Sequence, residues 1–324
     1  MMDALSETLR AVRLVGAIFI NARFTAPWCY QSPHADAAAP LLEPHAERVV
    51  IFHLVTDGEC MVELAGQVPL CLVAGDVVMF PQGHAHRMAS EPGLAPPRGA
   101  RLQEVLARRP LKLLHGGGGR PTGLMCGYLA CDARLARMLL NGLPPVVRVN
   151  VRGGDAGAWL EASLRYAIAE ARSPRPGGAG VLAKLAELLF IEVLRLTMHE
   201  QGAGRTGWLA AAGDRVVGSA LNALHQRPAH AWTLEELARA AGTSRSVLAE
   251  RFAQLMGSSP MQYLMQWRML LAANLLCRSN VPLARIAEDV GYRTDTAFIR
   301  AFRREYGAPP ATWRRSQMPP LHAR

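Results

Sequence analysis

Residues Trp232–Trp313 read WTLEELARAAGTSRSVLAERFAQLMGSSPMQYLMQWRMLLAANLLCRSNVPLARIAEDVGYRTDTAFIRAFRREYGAPPATW, and one short pattern occurs in them twice. The first copy is Leu234–Phe252 and the second is Leu283–Phe302. Each opens with a short helix of apolar period, carried by Leu234, Leu237 and Ala238 or by Leu283, Ile286 and Ala287. Each then reaches a glycine, Gly242 or Gly291, where a tight turn calls for a positive φ. Ser244 or Thr294 follows as a cap for the next helix. That helix carries an apolar pair at i and i+4, Leu248/Phe252 or Phe298/Phe302. This is helix-turn-helix grammar, in which the polar face of the second helix enters a major groove.

Between the copies runs Met261–Arg278, free of Gly and Pro, with Tyr263, Trp267, Leu270, Leu271 and Leu275 at helical spacing. A helix of about 18 residues spans roughly 27 Å. Successive major-groove faces lie roughly 34 Å apart, so one chain can present two reading helices to one side of a duplex. A single such pattern also fits a plain helical bundle; two copies bridged by a helix of this length point to DNA.

The runs AxxAGTSRSVLxxRF, PMQYLMQW with Arg268 after it, IAEDVGY and AFIRAFRREYGAPPATWR resemble the AraC/XylS family of transcription regulators. The resemblance covers about the last third of the chain. It implies a seven-helix DNA-binding unit at roughly Asp214–Arg315, led by a helix Asp214–Gln226 with Asp214 as its cap. By position in the motif, the base-reading candidates are Arg245, Ser246, Ala249 and Glu250, then Asp295, Thr296, Ile299 and Arg300. Ala249 and Glu250 depart from the long polar or basic side chains the family often places there. Glu250 has two readings, an acceptor for cytosine N4 or a simple pair with Arg251, and the pair is the simpler.

Composition agrees with a nucleic-acid partner. The 324 residues carry a formal net charge of +10, and Asp214–Arg315 holds 14 Arg, no Lys and 8 acidic residues. Six Arg fall within Arg293–Arg315. Basic charge gathered at the second reading helix suits phosphate contact, although a solvated face would look the same. No segment is long and clean enough to span a bilayer. The short apolar run Leu14–Ile20 behind Arg10 and Arg13 reads as a strand, not a signal segment. Six cysteines without a CxxC pair are expected to be reduced thiols. A cytoplasmic, nucleoid-associated protein is the expectation.

The first part of the chain has another texture. Residues 1–13 read as a short helix. From Leu14 to about Arg148, short apolar runs alternate with Gly, Pro and Asp turns, as in a β-sandwich or barrel. Expected strands are Val15–Arg23, Glu47–Val55, Cys60–Leu64, Val68–Leu72, Val77–Phe80, Leu111–Gly116 and Gly123–Ala130, with Glu91–Arg109 as a loop. Two helices follow, roughly Ala156–Ala171 and Gly180–Gln201. The second is apolar around much of its circumference, so a partner helix from a second copy would cover the surplus. Gly202–Gly213 reads as a linker.

Gly75–His86 matches the second cupin motif, G-x5-P-x-G-x2-H, through Gly75, Pro81, Gly83 and His86, without the final Asn. The first cupin motif is degraded: counting back from Gly58, its histidine positions fall on His45 and Glu47 and its glutamate position on Ile51. His53 shares strand parity with Glu47 and Ile51. His45, Glu47, His53 and His86 therefore form a candidate effector site or divalent-metal set, and hydrogen bonding inside the barrel is the plainer reading. His84 is expected at the surface and His115 at a strand end. FHLVTDG, LVAGDVVMFPQGHAHRM, LLHGGGG and LMCGYLACD resemble the cupin-type sensor domain of one AraC subfamily, over most of residues 1–200. That resemblance implies an effector pocket and dimerising helices. Cys126 falls in the subfamily's CGY element and reads as a small core residue before a redox sensor.

The expected architecture is α+β: a cupin-like sensor at 1–200, a linker at 201–213 and an all-α double helix-turn-helix domain at 214–316. The expected function is DNA-binding transcription regulation, biased by a small-molecule or redox signal. Expected partners are double-stranded DNA, a small-molecule effector and a second copy, with RNA polymerase a further candidate and no membrane. The rivals are a metal-dependent cupin oxygenase or isomerase with an appended DNA module, and a dimeric adaptor with a vestigial barrel. The damaged first motif and the lack of a general-base set weigh against the enzyme.

Overall fold

The structure, a computed structural model, describes residues 3–11, 15–44, 46–96, 112–131, 133–140, 142–152, 157–173, 175–200 and 206–317. It divides into two compact units, Leu14–Gln201 and a helical unit that joins Met1–Arg13 to Gly202–Arg324. His45 and most of the expected loop Glu91–Arg109 lie outside the described residues.

In the first unit the elements are β1 (Val15–Thr25), β2 (Cys29–Ser32), α2 (Ala35–Leu42), β3 (Arg48–Asp57), β4 (Glu59–Leu64), β5 (Leu70–Val73), β6 (Asp76–Phe80) and β7 (His86–Ala89). Then come β8 (Lys112–Gly116), β9 (Pro121–Cys131), α3 (Ala133–Leu140), β10 (Val147–Asn150), α4 (Gly157–Arg172) and α5 (Gly178–Glu200). The first sheet runs β10-β6-β3-β9-β1-β8 and the second β2-β7-β4-β5. Only β1 with β8 pairs in parallel among the described ladders. The expected strands are all present, with ends shifted by a few residues. The sequence reading missed β2, β7, β10, α2 and α3, each of four or eight residues and too short for a period to register.

Strand alternation sorts the apolar residues of the large sheet into two faces. Val55, Val78, Phe80, Leu124 and Cys126 meet Cys60, Val62, Leu72 and Met88 of the small sheet in the barrel interior. Farther along the same face, Val49, Ile51, Tyr128 and Ala130 lie under Ala35 and Ala38 of α2. The opposite face carries α5, packed against β1. There Gly16 is required by close approach: a Cβ on it would stand 2.8 Å from the Ala183 carbonyl and 2.9 Å from Ala186 Cβ.

The helical unit holds α1 (Ala4–Arg10), α6 (Trp208–Gly213), α7 (Arg215–Gln226), α8 (Leu234–Ala240), α9 (Arg245–Met256), α10 (Pro260–Arg278), α11 (Leu283–Asp289), α12 (Asp295–Tyr306) and α13 (Pro310–Gln317). The expected linker half-dissolves, because Trp208–Gly213 is a helix with Trp208, Leu209 and Ala211 buried. Asp214 caps α7 as expected, accepting from Val216 N and Val217 N at 3.0 and 2.9 Å. Helix α1, expected at the head of the sensor stretch, packs on α7 within this unit. Asn222 Oδ1 accepts from Ala4 N at 2.6 Å, and Asn274 Nδ2 donates to the Ala11 carbonyl.

Candidate functional site

Both turn–helix units form as the repeat predicts. Gly242 and Gly291 sit at φ +67° and +83°, and Ser244 and Thr294 cap α9 and α12 by accepting from Val247 N and Ala297 N. Leu248, Phe252, Phe298 and Phe302 are fully buried. The opposite faces are therefore turned outward. Arg245, Ser246 and Glu250 are exposed on α9, as are Asp295, Thr296 and Arg300 on α12. Ala249 is half-buried, and Ile299 packs partly against the core of its own motif. The simple Glu250–Arg251 pair does not form. Arg251 Nε and Nη2 instead reach Asp214 Oδ2 at 2.8 and 2.6 Å, tying α9 to the head of α7.

The two motifs are coupled through α10. Arg268 Nε and Nη2 donate to the carbonyls of Pro228 and His230 at 2.7 and 2.8 Å, and its guanidinium lies 5.9 Å from the Tyr292 ring centroid. Pro228 and His230 belong to the turn after α7, whereas Tyr292 follows the Gly291 turn of the second motif. The same turn closes on Gly291, where a Cβ would come within 2.6 Å of the Ala229 carbonyl. One residue of the central helix thus sets the spacing of two surfaces that lie far apart in sequence. Periodicity marked Arg268 only as a helix residue, since its acceptors are backbone carbonyls that leave no sequence signal.

Under the first motif, Trp208 Nε1 donates to Tyr263 Oη at 2.7 Å, and the phenol O–H donates in turn to His225 Nε2, 2.7 Å away. His225 is then the Nδ1–H tautomer, facing Thr8 Oγ1 at 3.5 Å, while Thr8 donates to the Ala4 carbonyl. Its ring stacks on Trp267 at 3.9 Å. Burial pushes the imidazole down to about 3, so it is neutral.

In the barrel, register rather than motif assembles the polar residues. His53 on β3 lies directly across from Cys126 on β9, and His86 opens β7. Gly83 makes the turn into β7 at φ +76°, where a Cβ would stand 2.6 Å from Ala35 Cβ. His53 Nδ1 meets Cys126 Sγ at 2.7 Å, His53 Nε2 meets His86 Nε2 at 2.6 Å, and His86 Nδ1 meets the His84 carbonyl at 2.9 Å. A carbonyl only accepts, so His86 carries its proton on Nδ1 and accepts at Nε2. His53 then donates from Nε2 and accepts at Nδ1, and the Cys126 thiol donates into it. Burial holds His86 down to about 4 and His53 well below its ordinary value, and raises Cys126. All three are neutral, as this proton order requires. The His86 ring stacks on Phe80 at 3.5 Å.

Of the candidate set, His53 and His86 come together. Glu47 does not join them: β3 begins at Arg48, and Glu47 is exposed before it. His45 lies outside the described residues. Ile51 points inward with His53 but packs under α2. Cys126 stands on the far nitrogen of His53, so the three donors do not converge, and no group of three metal-ligating side chains occurs among the described residues. The described donors of the set do not fit a metal ion. His84 is half-buried, with its ring 6.4 Å from that of His34, rather than at the surface. His115 lies one residue before the end of β8, as expected. All six cysteines are free.

A cupin family model matches residues 3–199 and a helix-turn-helix domain model matches residues 237–316. The chain is 35% identical over 274 residues to a Streptomyces lividans protein named an AraC-like transcription regulator, covering 83% of this chain and 88% of that one. A protein of the same name from Streptomyces antibioticus is 36% identical over 276 residues, covering 85% and 89%. The HTH-type transcriptional regulator AlkR of Acinetobacter baylyi is 27% identical over 316 residues, covering 97% and 99%.

Proposed function

Because this chain belongs to the AraC-like family of DNA-binding transcription regulators, we propose that its cupin unit receives a small-molecule or redox signal and thereby alters how α9 and α12 engage DNA. The observation that supports this reading is the pair of outward polar faces on α9 and α12, set by four fully buried residues and spaced by one helix. The neutral line from Cys126 through His53 and His86 to the His84 carbonyl runs through the barrel interior. A signal that adds or removes a proton or hydrogen-bond partner there breaks the order of the whole line. A second copy of the chain joins through α4 and α5, where Trp159, Tyr166, Val181 and Leu188 are exposed. The protein acts in the cytoplasm on the nucleoid, with RNA polymerase as a downstream partner.

Genome-wide mapping of bound DNA tests the reading, with wild type beside His86→Ala. Wild type is expected to occupy discrete sites that share a motif. His86→Ala is expected to keep the motif, because the helical unit is untouched, while its occupancy no longer follows the growth condition that changes wild-type occupancy. A wild type without enriched sites would reject DNA binding. Occupancy that follows the condition equally in both would reject the barrel as receiver.

A further inference from the structure

On α9, Glu250 lies two residues from each of the fully buried Leu248 and Phe252, about 200° away at 100° per residue. The helix is held in that roll by Arg251, fixed on Asp214 Oδ2, while Asp214 Oδ1 caps α7. The same contact occupies the cation adjacent to Glu250 in sequence. Among the described residues no hydrogen bond or ion pair reaches the Glu250 carboxylate, which is exposed. Of its neighbours one turn away, Ser246 and Ala253 are small and Val247 is apolar, and the exposed Gln254 makes no hydrogen bond to it among the described residues.

A free carboxylate on a DNA-facing helix is repelled by phosphates, so its place there calls for a donor on the duplex. The major groove offers few. Guanine presents two acceptors and thymine an acceptor and a methyl group, both unfavourable to a carboxylate. Adenine sets an acceptor, N7, beside its N6 donor. Cytosine presents its N4 amino group, a donor without a neighbouring acceptor on the same base. We infer that Glu250 selects cytosine at one position of the DNA site, both by accepting from N4 and by repelling guanine. The assignment rests on the docking of α9 proposed above and adds a base to it.

Selection from a randomised duplex library with the full chain tests it, using wild type, Glu250→Gln and Glu250→Ala in parallel. Wild type is expected to enrich a motif with cytosine at one position, about tenfold over the other bases. Glutamine bonds adenine bidentately, so Glu250→Gln moves that position to adenine. Glu250→Ala leaves it unselected, keeps the rest of the motif and binds random duplex more tightly, since the repulsion is gone. Motifs unchanged in both variants overturn the inference and leave the docking of the helical unit standing. A wild type that enriches no motif overturns the docking and the inference together.

Discussion

Arg300 lies two residues from each of Phe298 and Phe302, both fully buried, and is exposed as that spacing requires. Its outward guanidinium has two uses that measurement separates: a bidentate bond to guanine, or a phosphate contact. Asp295 at the head of the same α12 repels a backbone approach only weakly, and phosphate contact is the expected use. Arg300→Ala should weaken binding evenly across sequences and reduce the log K against log salt slope by about one. Relaxed preference at a single base, costing about 1–3 kcal/mol, would assign the base instead. His225 sets a second test. Burial lowers its folded pKa to about 3 from an ordinary 6.5, so between those values the unfolded chain binds the extra proton. The contribution is fully present above pH 6.5 and is lost as pH falls, at about 1.4 kcal/mol per unit in that window. Urea titrations of the full chain at pH 7 and pH 5, followed through tryptophan emission, should show this slope. His53 and His86, also held neutral by burial, add to the slope, so His225→Phe, less stable throughout, should reduce it by about 1.4 kcal/mol per unit; an unchanged slope would place the acid sensitivity elsewhere.

Helix α5 shows how an element can be legible while the assignment of its faces is not. Its surplus of apolar residues was legible, but the sequence gives no sign of which side meets the sheet. Leu188 is 38% exposed and Leu189 only 4%, so adjacent leucines serve different surfaces. Leu189 faces the fold, and charging it would damage the unit whatever its assembly. Val181 and Leu188, one heptad apart, are the pair that tests association. Val181→Glu with Leu188→Glu should yield a folded monomer by light scattering at micromolar concentration, where wild type is expected as a dimer. A double variant with the same mass as wild type would remove α5 from the proposed interface. The reading helices behaved differently, because a two-residue offset between buried and exposed positions is a local property of any α-helix.

Across the whole molecule, legibility follows sequence distance. The double helix-turn-helix was readable since its caps, turns and apolar pairs each lie within a few residues, and the covalent helix geometry fixes which of them share a face. The α+β character and the second cupin motif were readable for the same reason, as glycines and a proline dictate local turns. Three other features arise from residues that are remote in the chain. Cys126 became the partner of His53 through the β3–β9 register, 73 positions apart. Arg251 was taken from Glu250 by Asp214, 37 positions before it. Helix α1 left the sensor stretch for Asn222, 218 positions away. The sequence by itself determined the local elements, the repeat and the outward faces of the reading helices, because periodicity and turn chemistry are short-range. Only the tertiary structure decided which side chains pair, which carboxylate stays free and which leucine is covered. Those outcomes depend on competition among groups brought together by packing, where burial makes an unpaired polar atom costly and the nearest partner in space, not in sequence, satisfies it.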